Sequence, residues 1–177
     1  MLSRLPKVQD ISSVYAVIAF MIQAWTINVF LWQYPSWLYY LNKQEILAIF
    51  AYRIAESFIE TLFVLGILLL VSIILPPRFL RDVFNVRGTA FIVFMLGSII
   101  LFWNRFLDRD PGVVMADYLR IWTAAAVLLS VAISYASAKI KVVSSFLIWL
   151  SDRMIIFLFI LIPMSLISLV VVVIRNV

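Results

Sequence analysis

Three ionisable side chains, Arg53, Glu56 and Glu60, sit inside an otherwise apolar stretch over 46–75, ILAIFAYRIAESFIETLFVLGILLLVSIIL. On a helix that advances 100° per residue, Glu56 falls about 60° and Glu60 about 20° behind Arg53, so the three share one narrow face. Two carboxylates held close together cannot both ionise cheaply, and a nearby guanidinium shifts how they divide a proton. The chemistry on offer is therefore proton exchange, cation binding or an ion-paired contact with another helix. Charges inside a membrane-length segment are costly and normally face a partner, a cavity or a neighbouring helix. The triad is thus the leading candidate site, expected to point into protein and away from lipid, with Gln23 and Asn28 as candidate bonding partners. A plainer reading is an interfacial Arg–Glu pair on a long, tilted helix.

A second cluster lies in the loop NRFLDRDPGVVMADYLR, where Asp108 and Asp110 flank Arg109. Such a D-x-D could hold a divalent cation facing a lipid-linked substrate. Two acids around an arginine recur by chance in charged loops, however, and Mg²⁺ sites lean on substrate phosphates. No metal is expected. The chain also lacks cysteine and histidine. Disulfides, thiol chemistry, Cys-ligated zinc, His-ligated haem and imidazole catalysis are excluded with them. None of the motifs GxGxxG, P-loop, HExxH or G-x-S-x-G occurs. No cofactor and no enzymatic activity are expected.

The elements that must position these residues are membrane-length helices. Of 177 residues, 66% are hydrophobic and 13% charged, against about 25% charged in a soluble domain. Five spans are expected, at 11–33, 46–75, 88–107, 118–138 and 154–174, forming one compact all-α integral membrane bundle over 1–177. Four spans follow if the first or fourth segment lies on the surface. Asp10, Ser12 and Ser13 are candidate caps for the first span. The second ends at Pro76-Pro77, which cannot continue a helix. Over 46–75 that makes about 45 Å of helix, against a hydrocarbon core of about 30 Å.

Between the first two spans, WQYPSWLYY at 32–40 reads as an interfacial aromatic belt, with a ligand cage as the sharper alternative. Gly97-Ser98 offers a close-packing spot in the third span. In the fourth, Ala126, Ser130, Ser134 and Ala138 form a small-x-x-x-small stripe, expected to be a helix-packing seam. Val142 to Leu150 reads as a short interfacial link, and Pro163 should kink the last span.

Basic residues give the orientation. With five spans, Arg4, Lys7, Arg78, Arg81, Arg87, Lys139, Lys141 and Arg153 share the side of the N-terminus, eight of the fourteen Lys and Arg. The positive-inside rule then puts Met1 in the cytoplasm of a plasma membrane. Short basic loops beside spans explain the net charge of +5, so nucleic acid is not an expected partner. The expected role is a non-enzymatic subunit or accessory protein of a larger membrane assembly. Its partners would be lipids and other membrane subunits, or copies of itself. The alternative is a small cation- or proton-coupled carrier or channel using the second-span acids.

Overall fold

The computed structural model describes residues 5–77, 79–106 and 113–176, apart from the side chains of 113–115. Five α-helices account for nearly all of them: α1 Val8–Trp37, α2 Lys43–Ile74, α3 Phe84–Phe106, α4 Val113–Ser137 and α5 Lys141–Asn176. A 3₁₀ turn, Arg81–Val83, leads into α3, and no strand occurs among the described residues. All five helices are long and apolar enough to cross a membrane.

Local chemistry sets the boundaries. Asn42 and Glu45 form a capping box at the start of α2: the Glu45 N–H donates to Asn42 Oδ1 at 2.9 Å, and the Asn42 N–H donates to Glu45 Oε2 at 2.8 Å. Leu75, held extended before Pro76, ends the same helix. Helix α1 begins before the capping candidates. Lys7 occupies its N-cap without a side-chain bond, while Ser12 and Ser13 donate back to the Gln9 carbonyl from within the helix. At its other end α1 continues through Pro35 to Trp37, so 32–37 of the aromatic run close the helix and 38–40 form the turn after it. Phe30 gathers that run, with its ring centroid 5.4 Å from Trp37 and 5.0 Å from Phe50 of α2.

The expected link at Val142 to Leu150 is instead the first part of α5, which runs unbroken past Asp152-Arg153 to Asn176. The segment holds no glycine, and Asp152 and Arg153 are both exposed on the helix surface, where they interrupt nothing. Helix α5 also continues through Pro163.

Consecutive helices run in opposite directions. One end of the molecule holds Lys7, the α2–α3 turn and the α4–α5 turn; Ser134 of α4 donates to the Arg87 carbonyl there at 2.9 Å, and Ser151 of α5 donates to Asn85 Oδ1 at 2.9 Å. At the opposite end Asn176 donates to the Tyr52 hydroxyl at 2.6 Å. Helix α1 is central and packs on α2, α3 and α5, with Val14, Val17 and Ile18 in the main apolar cluster. Helix α4 rests mainly on α3, while α2 packs mainly along α1 and α5; it meets α3 through side chains such as Leu68 near Gly88 and otherwise stands off from α3 and α4.

Close approach occurs at Gly88, where an added Cβ would lie 3.3 Å from Val14 Cγ2 and 3.5 Å from Leu68 Cδ2. At Gly97 the same atom would meet nothing within 4 Å, so the packing spot expected there lies one glycine earlier. Ser98 instead accepts a hydrogen bond from Trp122 Nε1 at 2.8 Å. The small stripe of α4 faces α3: Ala126, Ser130 and Ser134 are buried. Ala138 lies just past the helix and is half-buried, and Ser137 is the buried residue at that level.

Candidate functional site

Arg53, Glu56 and Glu60 project from the middle of α2 into a recess of about 310 Å³. Helix α1 contributes Trp25, Thr26 and Val29 to its walls, α2 adds Ser57, and Trp103 of α3 closes one side. Because α2 stands off from α3, its charged face looks across this gap and is not sealed by neighbouring side chains. Arg53 Nη1 lies 3.8 Å from Glu56 Oε2, with 48% and 61% of the two side chains exposed. No ion pair reaches Glu60 among the described residues. The triad therefore shares one face, as its spacing requires, but that face borders an open recess and is not enclosed by the bundle.

The polar groups named from sequence as partners lie elsewhere. Gln23 is buried on the α5 side of α1, where its Nε2 donates to Ser165 Oγ at 3.0 Å. It is 300° around α1 from Thr26, so it turns away from the recess by about 60°. Asn28 is exposed. Ser57 and Thr61 are buried with their hydroxyls bonded within α2, to the carbonyls of Ile54 at 2.9 Å and Ser57 at 2.7 Å. Neither hydroxyl donates to the carboxylates.

Sequence reasoning missed the two tryptophans of the recess. Trp25 precedes Thr26 in a span read only for its amides and hydroxyls, and Trp103 stands near the end of α3 with no local mark of its partner. Beside the recess lies a second cavity of about 290 Å³ that shares Trp25, Thr26 and Glu60 and is otherwise lined by apolar residues such as Ile22, Phe63 and Leu96. Glu60 thus stands where a polar recess gives way to an apolar gap. This arrangement can bind a cation or an organic ammonium against carboxylate and indole, or meet a polar side chain from a second helix.

Asp108 and Asp110 lie outside the described residues. Among the described residues no group of three or more acidic, histidine or cysteine side chains comes together. No family model, no curated protein and no solved structure matches the chain.

Proposed function

We propose that this chain is a multi-pass plasma-membrane protein with a cytoplasmic N-terminus, serving as a non-enzymatic subunit or accessory protein of a larger membrane assembly. One observation carries the reading: two acids and an arginine on a membrane-length helix are left facing a recess that the chain's own helices do not fill. In hydrocarbon such a face is costly, and a polar residue from a partner helix would relieve it. The partner is another membrane subunit or a second copy, with lipid covering the remaining apolar surface. Size measurement in mild detergent tests this. The parent should run as a defined assembly, and the double variant Glu56→Gln, Glu60→Gln should dissociate it. A monomeric parent contradicts the reading.

The second reading, a small cation- or proton-coupled carrier, draws on the position of Glu60 between the polar recess and the apolar cavity beside it. It requires Glu60→Gln to abolish cation-dependent uptake in vesicles while leaving the assembly intact. The docking reading requires the assembly itself to change.

A further inference from the structure

Where α2 stands off from α3 and α4, a cavity of about 390 Å³ remains toward the end that holds Lys7. Its walls are aliphatic and aromatic, from Val64 to Val71 on α2 with Leu75 just past its end, and from Phe91 to Ile99 on α3. Val64 to Leu75 measures about 16 Å at 1.5 Å per residue, roughly half of a hydrocarbon core about 30 Å thick. The slot is one leaflet deep.

The end beside Leu75 differs in chemistry. Arg87, buried to 9% exposure, lines it and donates through Nη1 to the Phe79 carbonyl. Its Cζ stands 5.2 Å from the ring centroid of Tyr135, another lining residue. Lys139 Nζ stands 4.5 Å from the same centroid. Two cations therefore gather on one ring at the head of the slot. Asp82, the acid of the adjoining turn, lies 3.9 Å from Arg81. A soluble anion would leave the apolar slot unused, whereas an anionic phospholipid matches the apolar walls with a chain and the basic end with a net negative headgroup.

We infer that this cavity holds one acyl chain of an anionic phospholipid, its phosphate against Arg87 and Lys139 and its tail lying between α2 and α3. The inference rests on the membrane insertion proposed above. The full chain is therefore reconstituted in vesicles of equal phosphatidylglycerol and phosphatidylcholine, and resistance to carbonate extraction is scored first. Protein that washes off refutes insertion, and this inference with it. Inserted protein is then moved to mild detergent, and its retained lipid is identified by native mass spectrometry.

Phosphatidylglycerol should be retained in preference, and Lys139→Gln, an exposed change outside the slot, should weaken the preference by about fivefold. Met95→Trp, which fills the slot from α3, should abolish retention while carbonate resistance persists. Equal retention of the two lipids by inserted protein overturns the inference alone. So does unchanged retention by Met95→Trp, or displacement of the lipid by millimolar inorganic phosphate.

Discussion

Gln23 of α1 donates through Nε2 to the hydroxyl of Ser165 on α5, 3.0 Å away and 142 positions along the chain. Ser165 in turn donates to the Leu161 carbonyl at 2.7 Å, so its oxygen is left to accept from the amide. Both residues are buried, and Gln23 Oε1 has no hydrogen-bond partner among the described residues. Removing the serine hydroxyl would strand the whole amide, whereas removing the amide leaves a hydroxyl still bonded within its own helix. Ser165→Ala should therefore destabilise by about 0.5–2 kcal/mol, and Gln23→Met by less. Thermal unfolding of the two variants in one detergent checks the order. A larger loss for Gln23→Met would refute it.

The approach of α3 to its neighbours supplies a second test. Gly88→Leu would drive a side chain into Val14 and Leu68, and Ser130→Leu would push α4 away from α3. Each should cost about 1–3 kcal/mol through overpacking. Gly97→Leu and Val127→Leu point into open or exposed positions and should shift the melting temperature far less. Equal shifts across the four variants would contradict the packing described.

Exposure decides what Arg53→Ala should do. A buried pair that loses one partner costs about 3–5 kcal/mol, but an exposed pair is worth at most about 1. With Arg53 and Glu56 each about half exposed and 3.8 Å apart, the smaller figure applies to the isolated chain. The melting temperature of purified Arg53→Ala should sit within a few degrees of the parent. A collapse in stability would mean that the recess is closed.

Much of the fold could be read from composition and hydropathy, because a chain this apolar has few ways to satisfy its backbone other than membrane-length helices. Helix ends were less legible. A membrane sets how much of a helix is apolar, not where the helix stops, so α5 extends thirteen residues before the expected start at Met154 without any change in composition to mark it. The shared face of Arg53, Glu56 and Glu60 follows from spacing alone. What the face looks onto does not. Whether Trp25 and Trp103 meet it depends on how α1 and α3 rotate about helices that are apolar nearly all round, and local patterning carries little of that information.

Orientation gives a further prediction. Five crossings put Met1 and Val177 on opposite sides of the membrane, with Met1 cytoplasmic because the basic residues favour its side. Protease access to a tag at each terminus, in intact and permeabilised cells, reads this directly. Both tags on one side would remove the five-span topology.

The central claim is that the recess receives another polypeptide, and a photo-crosslinking residue placed at Trp25 tests it most directly. Trp25 lines the recess beside Glu60, so a docked helix would lie within reach of the reagent. Irradiation of intact cells should give an adduct with a second membrane polypeptide, or with another copy of this chain. That adduct should fall sharply when Glu56→Gln and Glu60→Gln are introduced together. A parent chain that yields no protein adduct, or an adduct unchanged by the double substitution, would contradict the account.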